Sequence, residues 1–285
     1  MRTQNQKAKA FHALHHAGKL LILPNIWNPV GAKMLEHQGY PAVATASAAL
    51  SASLGYLDGE KISRNTLLEQ IGRIANSVDV PVTADIESGY GESTDELKET
   101  IRGVIDAGIV GINIEDSTDD GEKMRPIDEQ CEHLAAVREA ADEVDVRLFI
   151  NARIDAFMSE VYPNSESQFS DAITRAKAFL EAGANGVYPI GPGDEATIKR
   201  LRKEIDAPIN ILAREGAISL KEMQAIGINR VTFGPYIFRS CYGKLKTIAQ
   251  ELKDLGAYDC FIEGSVSGPE MADYLNDSPE RTKSS

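Results

Sequence analysis

The 285-residue sequence predicts a (β/α)8 barrel of the α/β class, and three observations lead to this prediction. Eight short apolar runs recur at intervals of about twenty to forty residues, as expected of buried parallel strands. Between the runs, apolar residues recur at spacings of three and four, which is typical of helices that cover a sheet. Neither a GxGxxG fingerprint nor a GxxxxGK[ST] loop occurs. The chain therefore matches an eight-stranded barrel better than an open nucleotide-binding sheet.

The predicted strands are short, apolar and each followed by a helical pattern. They are residues 20–23, 42–45, 81–84, 111–114, 147–150, 186–188, 209–212 and 230–233. Ser93 and Glu96 have the spacing of a capping box at the start of one helix. Gly108 and Gly183 are placed as C-terminal stops. Residues 236–254 carry an apolar stripe and are predicted to form the eighth helix.

The domain prediction is one catalytic barrel with a short appendage. Residues 1–255 are expected to form the barrel with an N-terminal helix, in which His12, His15 and His16 lie on an exposed amphipathic surface. Residues 256–285 are expected to form a C-terminal helical extension, with one short helix over 262–275 and a mobile tail over 276–285.

Composition excludes several classes of protein. The chain is 42% hydrophobic and 26% charged, and its net charge of -13 lies on helices of mixed sign. These features predict no nucleic-acid partner and no membrane partner. The first twenty residues are polar and lack a signal peptide or anchor, which favours a cytoplasmic enzyme. Cys131, Cys241 and Cys260 show no CxxC spacing, so reduced thiols are expected rather than a disulfide framework or zinc site.

Acidic residues follow two of the predicted strands. Asp85 and Glu87 come after the apolar residues 80–84, and Glu115 follows residues 110–114. Because the carboxyl ends of parallel strands converge on one mouth, these acids are expected to lie close together. A single acid there is more often a helix cap or a surface residue. Several carboxylates in one place need a hard cation, so the sequence predicts a magnesium site.

Four segments carry a family resemblance, namely residues 45–58, 84–91, 111–116 and 151–153. In order and content they resemble the isocitrate lyase and phosphoenolpyruvate mutase superfamily, over about residues 23–239. The resemblance implies a magnesium-dependent barrel that makes or breaks a C–C or P–C bond next to a 2-oxo acid. It also implies a homotetramer, built as a dimer of dimers, in which the eighth helix is exchanged between paired subunits.

The resemblance further implies roles for individual residues. Asp85 is expected to bind Mg2+ directly, with Mn2+ as an alternative, while Asp58, Glu87 and Glu115 hold its waters. Asp58, Arg153 and Lys123 are the expected catalytic residues. Substrate contacts are expected from Trp27, Ser47, Ala48, Ala49, Arg153 and Asn210.

Other interpretations stay open for some of these residues. Arg153 can form an ion pair with the acids as well as clamp a substrate carboxylate or phosphonate. Trp27 can pack in the core of the barrel as well as line the pocket. Lys123 and Arg125 can close over an anionic substrate as a lid, although solvated loop charges are the commoner case.

Two departures from the superfamily pattern bear on the reaction. The loop after Glu115 lacks the Lys-Lys-Cys-Gly-His motif of the isocitrate and methylisocitrate lyases, and no cysteine occurs before Cys131. A thiol-dependent lyase is therefore disfavoured. The mutases carry a lysine and an asparagine in this loop, and only Lys123 answers to that pair. A mutase or hydrolase would also carry a histidine after the sixth strand, where this chain has Tyr188-Pro189-Ile190-Gly191.

The sequence thus predicts an enzyme for a small anionic 2-oxo or 2-hydroxy acid, such as an oxaloacetate-like or alkylmalate-like acid. The expected reaction is C–C cleavage by a lyase or decarboxylase through an enolate that a metal ion stabilises. The alternative is phosphoenolpyruvate phosphonomutase chemistry at a P–C bond. A third hypothesis, of another class, is a barrel that binds metal and ligand without catalysis.

Overall fold

In the computed structural model of the protein, the described residues are 2–118, 123–254, 256 and 258–276, without the side chain of Cys260. The predicted mobile tail lies outside these residues from position 277 onward. Within these ranges the strands are β1 Leu21–Leu23, β2 Asn25–Ile26, β3 Val43–Thr45, β4 Val82–Asp85, β5 Gly111–Glu115, β6 Ser117–Thr118, β7 Lys123–Met124, β8 Phe149–Ile154, β9 Gly186–Pro189, β10 Asn210–Leu212 and β11 Arg230–Thr232.

Helices alternate with the strands along the chain. They are α1 Gln4–His15, α2 Pro29–His37, α3 Ser47–Ser53, α4 Arg64–Ala75, α5 Thr94–Asp106, α6 Ile127–Glu143, α7 Ser165–Glu181, α8 Glu195–Glu204, α9 Leu220–Ile226, α10 Tyr236–Lys253, α11 Asp259–Ile262 and α12 Gly268–Asn276. Among the helices of the described ranges, none is long and apolar enough to cross a membrane.

All eight predicted apolar runs form strands, and these strands run parallel. Five of them pair with the additional short strand β2 in the order β2-β3-β4-β5-β8-β9, and the other three pair in the order β1-β11-β10. A single bridge between Val187 and Ile209 joins β9 to β10. Pro24 separates β1 from β2. Of the (β/α)8 prediction, the TIM-barrel-like α/β fold is thus confirmed, but among the described residues the hydrogen-bonded sheet is not a continuous closed ring.

The side chain of Asn25 joins the strands at the break beside Pro24. Its Oδ1 atom accepts hydrogen bonds from the main-chain N–H groups of Phe233 and Gly234, at 2.7 and 2.9 Å. Its Nδ2 atom donates to the carbonyl oxygen of Thr45 at 2.7 Å. One buried side-chain amide thus links the ends of β11 and β3, which belong to different sheets and share no main-chain hydrogen bonds in the described residues.

The predicted helix boundaries agree with the structure. Ser93 and Glu96 form a reciprocal capping box at the start of α5. Gly108 and Gly183 follow α5 and α7 with φ of 89° and 111°, a left-handed conformation that glycine adopts without steric cost. The eighth helix also forms, as α10. The predicted helix over 262–275 is replaced by α11 and α12 with a break at residues 263–267.

The N-terminal helix α1 packs against the amino ends of the strands, here called the lower end of the barrel. This burial differs from the predicted exposure of its histidines. His12 and His15 are buried on α1. The His15 ring stacks on Phe149 with 3.8 Å between ring centroids, and Phe11 contacts the same ring edge-on. The prediction was wrong for His12 and His15, because an imidazole body packs on aromatic rings as readily as it meets water, whereas His16 is exposed as predicted.

Candidate active site

Asp85 lies at the carboxyl end of β4, as predicted. Its Oδ2 atom accepts hydrogen bonds from the main-chain N–H and the hydroxyl of Ser47, at 3.2 and 3.1 Å. The hydroxyl oxygen of Thr45 accepts the main-chain N–H of Asp85 at 3.0 Å. Within the described part of the chain, both hydrogen bonds to this carboxylate end on Oδ2, which leaves Oδ1 for a cation.

Glu87 holds together the loop that carries Asp58. Its Oε2 atom accepts hydrogen bonds from the main-chain N–H groups of Gly59 and Glu60, at 2.7 and 2.6 Å. Its Oε1 atom accepts the Tyr90 hydroxyl at 2.6 Å. Because three donors already occupy this buried carboxylate, its main interactions are with the protein itself.

The backbone around Glu87 is strained. Glu87, Tyr90 and Glu60 have φ of 54°, 55° and 56°, a left-handed conformation that costs a non-glycine residue about 1–3 kcal/mol. The Glu60 carboxylate holds the turn by accepting the Ser88 hydroxyl at 2.6 Å and the Tyr90 N–H at 2.9 Å. Such strain commonly accumulates at functional sites, where the surrounding contacts enforce it.

Three of the four predicted acids, Asp58, Glu87 and Glu115, lie near the charge of Asp85 and have raised pKa values. The Asp58 residue is exposed, yet partial desolvation of its carboxyl by the surrounding protein raises the pKa of that group, and the charge of Asp85 raises it further. Burial raises the pKa of Glu87 to about 7 and that of Glu115 to about 8. The charge of Asp85 adds to both shifts. A cation at this point would relieve the repulsion.

Arg153 is the positive charge of the site, and carboxylates surround it. Its Nη1 atom forms an ion pair with Glu115. Its Nε and Nη2 atoms donate to the two oxygens of Asp155 at 2.7 and 2.8 Å, a bidentate pair. Although burial alone would lower the pKa of Arg153, Glu115 and Asp155 raise it well above its usual value. The ion-pair interpretation is thus confirmed, and substrate contact stays a prediction.

Two acids of the site, Asp155 and Asp116, were not predicted from the sequence to belong to it. The main-chain N–H of Asp155 donates to Oδ1 of Asp116 at 2.9 Å. The Ser117 hydroxyl lies 3.1 Å from Glu115 Oε1 and 2.8 Å from Asp155 Oδ2. A signal for Asp155 existed, because a residue two positions after Arg153 lies on the same face of an extended chain.

The other predicted substrate contacts have partners of their own. Trp27 packs edge-on against Phe238 with 5.0 Å between ring centroids, in one cluster with Ala49. Ala48 follows Ser47 in the first turn of α3. Asn210 is buried, and its Nδ2 atom lies 3.1 Å from the hydroxyl oxygen of Thr232. Substrate binding by these residues stays a prediction.

The loop after Glu115 begins with β6 and ends with β7, and these two strands pair in an antiparallel manner. Lys123 is exposed on β7, while residues 119–122 of the predicted lid lie outside the described residues. Arg125 is buried and donates to Glu129 at 3.0 Å and to Gln130 at 2.8 Å. Neither interpretation left open for Arg125, a lid over the substrate or a solvated loop charge, fits the structure, because its buried guanidinium ties the hairpin to α6.

The donor set fits magnesium. In residues 2–118, 123–254, 256 and 258–276, no three His, Cys, Asp or Glu side chains converge closely enough to hold a metal ion by themselves. Magnesium does not need such a cage, since it keeps several waters and takes one or two protein carboxylates. The hard oxygen donors of Asp85, Asp58 and Glu115, with Asp85 Oδ1 available, meet this need.

Comparisons with known proteins place the chain in a family. The profile of the phosphoenolpyruvate phosphomutase family matches residues 11–253. An uncharacterized protein of Mycobacterium tuberculosis is 30% identical over 229 residues, 80% of this chain and 83% of the relative. The probable 2-methylisocitrate lyase 2 of Corynebacterium glutamicum is 26% identical, over 90% of this chain and 84% of the relative. The oxaloacetate decarboxylase of Marinomonas sp. is 26% identical, over 80% of this chain and 78% of the relative.

Solved structures share the fold. A provisionally named lyase/mutase of Burkholderia cenocepacia has a TM-score of 0.88 and 30% identity, covering 97% of this chain and 98% of its own. A phosphonopyruvate hydrolase solved with oxalate and magnesium has a TM-score of 0.82, 24% identity and 95% coverage of both chains. This match supports the fold alone. The chain therefore belongs to the phosphoenolpyruvate phosphomutase family, within the phosphoenolpyruvate mutase and isocitrate lyase superfamily.

Proposed function

We propose that the protein is a magnesium-dependent enzyme that cleaves a C–C bond next to the 2-oxo or 2-hydroxy group of a small acid. The observation that carries this proposal is the pairing of a fixed cation, Arg153, with the acid cluster around Asp85. A 2-oxo acid offers a carboxylate for the guanidinium and neighbouring oxygens for a metal ion. Relatives named as 2-methylisocitrate lyase and oxaloacetate decarboxylase act on acids of this kind.

Asp85 would hold the magnesium ion, with Asp58, Glu87 and Glu115 acting through water. Manganese is the alternative ion. When bound, the ion would supply positive charge that stabilises the negative oxygen left as the neighbouring bond breaks. The donor chemistry described above supports this assignment for Asp85, Asp58 and Glu115, whereas the role of Glu87, whose carboxylate already accepts three hydrogen bonds, rests on the family resemblance.

The remaining groups would bind and orient the acid. Arg153 would hold the substrate carboxylate through the N–H bonds that Glu115 and Asp155 do not use. Ser47 and the N–H groups of Ala48 and Ala49 would bind a second oxygen of the acid, since the first N–H groups of a helix lack partners within it. Trp27, Asn210 and Lys123 would line or cover the pocket.

C–C cleavage without a thiol is favoured over the thiol-dependent C–C cleavage of the isocitrate and methylisocitrate lyases, because residues 116–126 contain neither cysteine nor histidine. Decarboxylation, or retro-aldol or retro-Claisen cleavage, of an oxaloacetate-like or alkylmalate-like acid needs no thiol. The second candidate is phosphonomutase chemistry. The family profile and a provisionally named phosphonomutase of Burkholderia cenocepacia, 35% identical over 89% of this chain, favour it. The lack of the expected histidine after the sixth strand, where the sequence is Tyr188-Pro189-Ile190-Gly191, weighs against it.

A homotetramer is part of the proposal. The apolar stripe of α10 is mostly open to solvent in the single chain, with Leu245 and Leu252 54% and 48% exposed. Exposed apolar residues repeated along one helix are costly in water and typical of a subunit contact. Exchange of α10 between paired subunits would cover them.

The test is a turnover screen with MgCl2 on oxaloacetate, 2-methylisocitrate, 2,3-dimethylmalate and phosphonopyruvate, followed by proton and phosphorus NMR. Asp85→Ala is the inactive variant, and Asp106→Ala on the exposed face of α5 is its matched control. Pyruvate or another cleavage product from a carbon acid, lost only in Asp85→Ala, is the expected result. Phosphoenolpyruvate from phosphonopyruvate would select the mutase instead. If magnesium raises the melting temperature but no acid is turned over, the barrel only binds.

A further inference from the structure

A buried arginine, Arg175, contacts residues that lie behind the candidate site. Arg175 belongs to α7 and is 7% exposed. Its Nη1 atom donates to Oδ2 of Asp116 at 3.1 Å and to the carbonyl oxygen of Arg125 at 2.9 Å. Its Nε atom donates to Asp171 at 2.6 Å. One planar guanidinium therefore fixes two carboxylates and the main chain that returns from the β6–β7 hairpin.

Asp116 connects Arg175 to Asp155, which pairs with Arg153 in the site. Its Oδ2 atom is held by Arg175, and its Oδ1 atom accepts the main-chain N–H of Asp155 at 2.9 Å. Its carbonyl oxygen accepts the N–H of Arg125 at 2.7 Å. Asp116 is fully buried, so it cannot exchange these partners for water without cost.

Asp155 in turn sets the plane of the Arg153 guanidinium. The two parallel hydrogen bonds of 2.7 and 2.8 Å allow one relative orientation of the two groups. Since the backbone of Asp155 is held by Asp116, the guanidinium of Arg153 can turn only if this support yields. A continuous path of charged hydrogen bonds thus runs from Arg175 through Asp116 and Asp155 to Arg153.

We propose that Arg175 is a positioning residue for acid binding: it fixes Asp116 and Asp155, and thereby the orientation in which Arg153 meets the carboxylate of the substrate. This inference rests on the proposed function, in which Arg153 binds that carboxylate. Arg175 itself does not touch the substrate. Its removal is expected to act on ligand affinity as well as on stability, because small errors in placement weaken a bidentate contact strongly.

The test compares Arg175→Met with Arg138→Met. Arg138 is a matched control, because it is a partly buried arginine of α6 that donates to Gly183 and Asn185 at the other end of the barrel. Calorimetry with oxalate and MgCl2 measures acid binding, and thermal unfolding measures stability. Both variants are expected to lower the melting temperature, but only Arg175→Met is expected to weaken oxalate binding, by about tenfold or more.

Two further variants keep the test decisive. Arg175→Lys retains the charge but not the planar fork, so intermediate oxalate affinity is expected even if Arg175→Met does not fold. In an Asp155→Ala background, Arg175→Met should weaken binding little further, because the path is already broken.

The outcomes separate this inference from the proposed function. If wild type binds oxalate and the Arg175 variants bind it equally well, Arg175 is only structural and the inference is wrong. If losses from Arg175→Met and Asp155→Ala simply add, the path through Asp155 is wrong. If wild type binds no oxalate with magnesium present, the proposed function fails, and this role for Arg175 fails with it.

Discussion

The hydroxyl of Tyr90 donates a 2.6 Å hydrogen bond to Oε1 of Glu87, and this contact closes the loop that carries Asp58. Tyr90→Phe removes the donor and leaves a buried carboxylate with one partner fewer. We expect the free energy of unfolding to fall by about 2 kcal/mol, the usual range for a hydrogen bond to a charged group. We also expect weaker magnesium binding, measured as a smaller rise in melting temperature with MgCl2.

Tyr274→Phe is the matched control for this change. The Tyr274 hydroxyl donates to Glu270 at the same distance of 2.6 Å, but Glu270 is exposed on α12. Loss of that hydrogen bond should change stability less and leave the response to magnesium as in wild type. An equal response to magnesium in both variants would contradict the role given to Tyr90.

Asn25 is expected to be the most sensitive amide of the barrel. Asn25→Ala removes the acceptor of the Phe233 and Gly234 N–H groups and the donor to Thr45. Since unsatisfied buried groups cost about 1–3 kcal/mol each, we expect a loss of about 3 kcal/mol in urea unfolding.

Asn76→Ala serves as the control for Asn25. The Asn76 side chain is exposed and donates to the Gly72 carbonyl at the end of its own helix. Its removal should cost less than about 0.5 kcal/mol. If the two variants unfold at the same urea concentration, Asn25 does not join the strands at the Pro24 break.

The strands could be read from the sequence because each is a buried apolar run, which burial on both faces requires. The break at Pro24 was not predicted, since closure depends on how distant strands meet. The β6–β7 hairpin was not predicted either, because strands of two residues are too short to show an alternation of apolar and polar residues. The burial of His15 depends on Phe149, 134 residues away, and no local pattern encodes such a contact.

The site was predicted in part for the same reason. Asp85 and Glu115 stand out because an acid is unusual at the end of an apolar run. The roles of Asp116 and Arg175 were not visible, since their pairing joins a strand end to a helix 59 residues later. The sequence gives which residues are charged, but only the fold decides which charges meet.

Gly111 is expected to tolerate no side chain. A Cβ atom there would lie 2.5 Å from Cε1 of Phe11, which is fully buried in the lower end of the barrel. Gly111→Ala should therefore displace α1 and lower stability by about 1–3 kcal/mol. Gly72→Ala is the control, because its Cβ would make ordinary contact at 3.5 Å with Ala107. Within helix α4 that change should stabilise by about 0.5–1 kcal/mol, and equal effects in urea unfolding would contradict the packing described here.

His12 is expected to make the protein sensitive to acid. Burial lowers the pKa of its imidazole from 6.5 to about 4. Between these values the unfolded chain binds a proton that the folded chain does not. Stability is therefore lost as pH falls from 6.5 towards 4, by up to about 1.4 kcal/mol per pH unit.

His12→Gln isolates this contribution, because glutamine stays neutral and retains a donor for the Arg147 carbonyl, which His12 Nε2 contacts at 3.0 Å. The measurement is urea unfolding of both proteins from pH 7.5 to pH 4. The two stability curves should run parallel above pH 6.5, where the imidazole is neutral in both states. Below it, wild type should fall more steeply than the variant. Curves that stay parallel down to pH 4 would mean that the folded protein protonates His12 as easily as the unfolded chain does, and that α1 does not seal the imidazole from water.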